Sequence, residues 1–219
     1  MKKFVIFLCL SLLLTAPFAA RADQYTLHTP GPDSITAAQA VERAKAYLLT
    51  LCPALEETRL KDARTESPDY LFGPGWQWDA DTQEDCWVLP LPSALAVVHG
   101  ATGEVLYYSY WLEPREGWSM LYNNCQPSSM SVDEAVEIAA RRVAAVTGEE
   151  EDTLLEGEIS GGFFLAAVPD DPDAAPVPAW EVIFHLRDIP GDWARCVGGC
   201  VICEETGNVL WDIPGMEPV

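Results

Sequence analysis

One ten-residue pattern occurs twice in the sequence. "HGATGEVLYY" covers residues 99–108 and "CEETGNVLWD" covers residues 203–212. Each places Thr-Gly before a polar residue, Val, Leu and an aromatic residue, and each follows a short apolar run. Gly103 and Gly207 stand where a type I turn with a bulge requires a positive φ, which glycine adopts without strain. Each pattern therefore predicts the tip of a β-hairpin.

A helix signal precedes each of these hairpins. "TAAQAVERA" begins at Thr36 and has Gln39 three residues later, and "SVDEAVEIA" begins at Ser131 with Glu134 in the same position. Both are capping boxes, in which the hydroxyl accepts from a free backbone N–H and the later side chain reaches back. Alanine and valine then recur at the helical period, and Gly148 is a typical end for the second helix. We expect two amphipathic helices whose small residues let a sheet approach closely.

A strand that begins with tryptophan follows each helix. "WEVIFHL" starts at Trp180, and every second residue from it is apolar, as in a strand with one buried face; the residues between them are Glu181, Ile183 and His185. "WVLPL" starts at Trp87, and its Pro90 cannot donate to a ladder, which predicts an edge position or a break. "GGFFLAAVP" and "GWQWDA" predict one more strand in each half. Because helix, tryptophan strand and hairpin recur in one order, duplication explains the pattern better than chance similarity of two hairpins.

This order of elements resembles the PepSY family, whose domains occur in the propeptides of secreted thermolysin-like proteases and in other exported bacterial proteins. The resemblance is carried by "TAAQAVERA" with "VVHGATGEVLYY", and by "SVDEAVEIA" with "VICEETGNVLWD". It implies an α+β fold of two tandem PepSY-like units, each a helix packed on a small antiparallel sheet. It also implies a role in binding or restraining peptidases, and it supplies no catalytic residues.

The sequence divides into five predicted parts. Residues 1–22, "MKKFVIFLCLSLLLTAPFAARA", show the basic start, apolar run and A-x-A ending of a secretory signal peptide. Residues 23–33 are an N-terminal extension, 34–112 the first unit, 113–129 a connecting segment and 130–219 the second unit. The apolar run is short for a membrane span. We expect a secreted, periplasmic or cell-envelope protein with no membrane insertion after signal cleavage.

The charge of the chain is strongly negative. The formal net charge is −21, and removal of Lys2, Lys3 and Arg21 with the signal peptide would make it −24. Such a chain repels phosphate backbones and anionic membrane surfaces, so nucleic acid is an unsuitable partner. Solubility is one explanation of the charge. Attraction to a cationic partner surface or to divalent metal is the sharper alternative.

Six cysteines remain after signal cleavage, and an even number in an exported chain predicts disulfides. The candidates are Cys52, Cys86, Cys125, Cys196, Cys200 and Cys203. Compared with the first half, the second carries an insertion that includes "DIPGDWARCVGGC", and we expect Cys196 or Cys200 to pin it by a disulfide. "CVGGCVIC" also leaves open a cell-envelope metal- or thiol-binding protein. A structural zinc site there would need a fourth ligand, for which Cys125 and His185 are candidates.

The sequence contains no recognisable catalytic motif. His28, His99 and His185 lie in no H-E-x-x-H pattern, and neither a G-x-S-x-G elbow nor a phosphate-binding glycine loop occurs. We therefore predict no catalytic residue, no metal site and no cofactor. We expect a non-enzymatic exported protein that binds another exported protein and restrains or modulates it, with a peptidase the leading candidate. An edge strand such as the one with Pro90 would accept the partner, and the candidate interface aromatics are Trp76, Trp78, Trp118 and Trp193.

Overall fold

The computed structural model describes residues 26–58, 68–72, 84–169, 174–187 and 194–216. Within these ranges there are three α-helices and one 3-10 helix: α1 (Ala37–Leu51), the 3-10 helix Pro53–Thr58, α2 (Val132–Thr147) and α3 (Glu151–Glu156). The strands are β1 (Thr26–Leu27), β2 (Asp69–Phe72), β3 (Asp85–Leu91), β4 (Ala94–His99), β5 (Val105–Leu112), β6 (Trp118–Asn123), β7 (Glu158–Ala166), β8 (Val177–Leu186), β9 (Arg195–Cys203) and β10 (Val209–Met216).

The strands follow one another in chain order in a single mixed sheet. β6 and β7 run parallel, whereas neighbours such as β5 with β6 and β7 with β8 run antiparallel. α2 and α3 stand between β6 and β7 in the chain, as a parallel connection requires. Contacts within the chain divide it into two compact units, residues 1–107 and 108–219.

The predicted fold class, with two units that each pack a helix on a small antiparallel sheet, is wrong. Residues 113–129, predicted as a connecting segment, contain β6, which pairs with β5 on one side and with β7 on the other. Its side chains alternate, with Trp118, Met120 and Tyr122 buried. Because both edges of β6 find hydrogen-bonding partners, the sheet continues through this segment and does not end before it.

Both predicted helices and their capping boxes are confirmed. The Thr36 hydroxyl accepts from the Gln39 N–H at 3.2 Å, and the Ser131 hydroxyl accepts from the Glu134 N–H at 3.3 Å. α2 ends at Gly148, which has a φ of 82°. The buried positions of both helices are largely alanine and valine, and α1 packs on β3 and β4 while α2 packs on β8 and β9. Small side chains there allow the close approach that the sequence indicated.

The sequence predicts an edge position or a break at Pro90. The edge position is wrong, because β3 pairs with both β2 and β4, and β3 runs without a break from Asp85 to Leu91. The described pairing of β2 with β3 reaches only as far as Val88. Pro90 therefore lies beyond that ladder, where β2 does not require its missing N–H. The predicted alternation of β8 is confirmed, since Trp180, Val182 and Phe184 are fully buried.

Several expectations lie outside the described residues. These are the signal peptide at 1–22, the "GWQWDA" strand with Trp76 and Trp78, and Trp193. The predicted N-terminal extension, 23–33, contains β1, which pairs with β2. None of the helices in the described ranges is long and apolar enough to cross a membrane.

Candidate functional site

Both repeated patterns form hairpin tips, as predicted. In the first, the Gly103 N–H donates to the His99 carbonyl at 2.9 Å, and in the second the Gly207 N–H donates to the Cys203 carbonyl at 2.9 Å. The φ values of the two glycines are 71° and 69°. The two turns therefore use one backbone conformation that disfavours other residues.

The side chain at the start of each tip accepts hydrogen bonds from the turn. His99 Nδ1 accepts from the Thr102 N–H at 2.9 Å and lies 2.9 Å from the Thr102 hydroxyl. At the corresponding position, the Cys203 thiol has a lowered pKa, first because of the Thr206 hydroxyl and further because of backbone N–H groups, against the effect of burial. The Cys203 side chain thus occupies the acceptor position that His99 has in the first hairpin.

A surface depression of about 410 Å³ lies between the β9–β10 tip and the first turns of α2. Its apolar part is formed by Met130 and Ile138, whose side chains approach Gly207. Glu137 and Glu205 are among the acidic residues that surround it. The depression is therefore lined by two apolar side chains, by several acidic residues and by Arg141.

Glu204 lies beside this depression but turns its carboxylate inwards. The carboxylate accepts from the backbone N–H groups of Ser128, Ser129 (2.7 Å) and Met130 (3.4 Å), just before the cap of α2. Burial alone would raise the pKa of Glu204, but the donors on Ser129, Ser128 and Met130 outweigh it and the pKa is lowered. Glu204 is therefore an internal anion that joins the hairpin tip to the start of the helix.

The second unit carries far more negative than positive charge. Residues 108–219 contain 21 Asp and Glu residues against 5 Arg and no Lys. Four of the arginines are held in ion pairs: Arg115–Asp133 (2.7 Å), Arg142–Asp212 (2.5 Å), Arg187–Glu158 (2.5 Å) and Arg195–Glu149 (2.7 Å). Most of the basic charge is thus already neutralised, and most of the acidic charge is not.

The cysteines lie in varied surroundings. Five of the six disulfide candidates, Cys52, Cys86, Cys125, Cys200 and Cys203, have free thiols, and Cys196 lies opposite His185 in the sheet. Burial raises the pKa of Cys86 to about 12, that of Cys125 to about 11 and that of Cys200 to about 12. Such thiols are largely protonated at neutral pH and are therefore poor nucleophiles.

"CVGGCVIC" lies along one strand, β9, and does not fold around a centre. Within the ranges that the structure describes, no group of three or more His, Cys, Asp and Glu side chains is placed to hold a metal ion.

One hydroxyl–imidazole pair was not found from the sequence. Ser160 Oγ lies 2.7 Å from His185 Nε2 across β7 and β8, and Glu158 is the register partner of His185. Burial lowers the pKa of His185, while the Glu158 charge raises it. A catalytic serine and its histidine base would lie at about this distance from each other. Ser160 is only 7% exposed, however, so a substrate could not reach its hydroxyl. We interpret the pair as a buried cross-strand hydrogen bond.

Of the aromatic residues predicted to form an interface, Trp118 is the one that lies within the described ranges, and its side chain is not available to a partner. Trp118 is 5% exposed, and the Arg115 guanidinium covers its ring at 4.8 Å. Trp211 on β10 is instead an aromatic side chain at the surface, with 36% exposure. The sequence signal for it was the aromatic residue that follows Val-Leu in the second hairpin pattern.

No protein-family model matches the chain, and no curated protein matches it. The resemblance to the PepSY family therefore rests on the quoted motifs.

Proposed function

We propose that this is an exported, non-enzymatic protein that binds a basic polypeptide surface on another exported protein, with a peptidase the leading candidate partner. The observation that carries the proposal is the uncompensated negative charge of residues 108–219, with 21 acidic residues against 5 arginines. Complementary charge raises association rates and selects among partners. The PepSY resemblance and the signal-peptide pattern support the peptidase and the export compartment.

The local chemistry is consistent with binding. Glu204 is occupied by backbone donors, and the Ser160–His185 pair is buried. The thiols of Cys86, Cys125 and Cys200 have raised pKa values. The reactive groups named here are therefore engaged inside the fold, while many carboxylates remain at the surface.

The test uses the mature protein and peptidases secreted by its host, purified one at a time. We expect at least one of them to bind and to be slowed, and we expect both effects to weaken as salt screens the charges. An unrelated acidic protein of similar net charge serves as the control. Failure to bind or slow any of these peptidases would count against the proposal, and so would equal inhibition by the control protein.

A further inference from the structure

β10 (Val209–Met216) is the last strand in the order of the sheet and has one described neighbour, β9. The register pairs Asp212 with Cys200 and Ile213 with Gly199. A strand bonded on one side presents backbone N–H and C=O groups on the other, and these can bind another extended chain.

Features of β10 limit where a further strand could pair. The register shifts between Val209 and Trp211, and Pro214 lacks an N–H donor. Asp212 is exposed and Trp211 is 36% exposed, so the segment between the irregularity and Pro214 is reachable from solvent. Bulges, prolines and charges at an edge guard against indiscriminate pairing between identical chains.

The net negative charge of residues 108–219 indicates which kind of segment would pair with β10. Asp212 is already ion-paired with Arg142, so the relevant charge is the net charge of the unit. Two copies of β10 would bring two strongly acidic units together, which like-charge repulsion disfavours. An incoming segment with Lys or Arg would meet the opposite charge, and the exposed Trp211 ring can take a cation over its face. We propose that β10 accepts a basic, extended segment of the partner as an added strand beside Trp211. This inference rests on the proposed function.

Two synthetic peptides of equal charge separate strand addition from charge alone. Acetyl-(Lys-Val)4-amide can form a strand ladder, whereas acetyl-(Lys-Pro)4-amide lacks the N–H groups at every second residue. We expect the mature protein to bind the Lys-Val peptide about tenfold more tightly in calorimetry, a difference of about 1.4 kcal/mol. Hydrogen exchange should show new protection of amides in β10.

A variant pair tests the location. Trp211→Lys puts a positive charge on the edge and should weaken binding of the Lys-Val peptide about tenfold. Val146→Lys, the matched control at a 61% exposed position of α2, should leave it unchanged. Equal weakening by both substitutions would overturn the assignment to β10.

The possible failures are distinguishable. Equal binding of both peptides, or protection outside β10 only, overturns strand addition and leaves the proposed function standing. If neither peptide binds at low salt, attraction to basic polypeptides fails and the proposed function fails with it. Peptide-independent dimers that protect β10 would assign the edge to a second copy and overturn the inference.

Discussion

The indole Nε1 of Trp180 donates a hydrogen bond to the carbonyl of Met130 at 3.3 Å, directly before the Ser131 cap of α2. Trp87 does the same in the first unit, donating to the carbonyl of Ile35 at 3.0 Å. Each tryptophan thus ties the strand on which it lies to the start of the helix packed on that sheet. The duplicated sequence pattern therefore corresponds to a duplicated contact.

Each of these two tryptophans also has an aromatic residue as its partner on the neighbouring strand. Tyr70 is the register partner of Trp87, and Phe163 is that of Trp180. Ring centroids are 4.8 Å apart in both pairs, with interplanar angles of 59° and 56°. This tilted arrangement is favourable for aromatic pairs. The local packing around the tryptophan is therefore duplicated as well.

We predict that Trp180→Phe and Trp87→Phe each lower the free energy of unfolding by about 1 kcal/mol or more, because the helix-start carbonyl loses its donor. Urea unfolding of each variant measures the effect. Trp211→Phe, at a 36% exposed position, should change it by less than about 0.5 kcal/mol. If Trp87→Phe proves as mild as Trp211→Phe, the duplicated contact does not contribute to stability as proposed.

The sequence predicted those elements that short-range signals specify. The capping boxes at Thr36 and Ser131 and the turn glycines Gly103 and Gly207 act within a few residues, so a pattern of a few letters suffices. β6 was missed because its pairing with β5 and β7 depends on how the other strands are arranged, and its own six residues do not encode that arrangement. "WSMLYN" does alternate in burial, but six residues without a strong turn signal were taken for a connection.

The polar contacts of the site were less predictable. Glu204 accepts from Ser129 across 75 residues, and Ser160 meets His185 across 25 residues. No local motif encodes such a contact, because the register of distant strands decides it. Disulfides were predicted from the number of cysteines and from the predicted export signal. Neither of these says which cysteines lie close enough together to form a bond.

Replacement of Glu204 should be costly. Glu204→Ala leaves the N–H groups of Ser128, Ser129 and Met130 without their acceptor, and we expect a loss of about 3 kcal/mol in unfolding free energy. Glu205→Ala changes an exposed neighbour and should cost no more than about 0.5 kcal/mol. Urea unfolding of both variants is the measurement. Formate should partly restore Glu204→Ala, because a small anion can take the place of the carboxylate.

The Glu204 carboxylate should also make the stability of the protein depend on pH in the acid range. Its pKa in the folded protein lies below the ordinary value of 4.5, so its stabilising effect is present above that value and is lost as the pH falls through the folded pKa. Glu204→Gln should therefore flatten the acid limb of stability against pH. An unchanged acid limb in this variant would show that Glu204 does not contribute to it.

Cysteine reactivity should differ between positions. The pKa values of Cys86 and Cys200, about 12, leave little thiolate, so we expect slow alkylation of both by iodoacetamide in the native protein at about pH 8. Cys203 should react faster, and Thr206→Val should slow its alkylation by removing the hydroxyl that lowers the pKa of Cys203. Peptide mass spectrometry measures the rates. Thr102→Val changes the equivalent residue of the other hairpin and should leave the Cys203 rate unaltered.

Because His185 is buried, we expect the protein to lose stability in mild acid. Burial lowers the folded-state pKa of His185 below 6.5, against the raising effect of Glu158, which Arg187 holds in an ion pair. The unfolded chain then binds the proton first, so this contribution is complete above about pH 6.5, falls as the pH drops towards the folded pKa, and levels off below it.

His185→Gln removes this titration, and its urea midpoint should vary less than that of the parent between about pH 7.5 and about pH 5.5. Ser160→Ala retains the imidazole and removes only the hydroxyl 2.7 Å away, so the pH response should persist in it at lower overall stability. If the parent and His185→Gln midpoints run parallel across this range, the buried imidazole is not the titrating group.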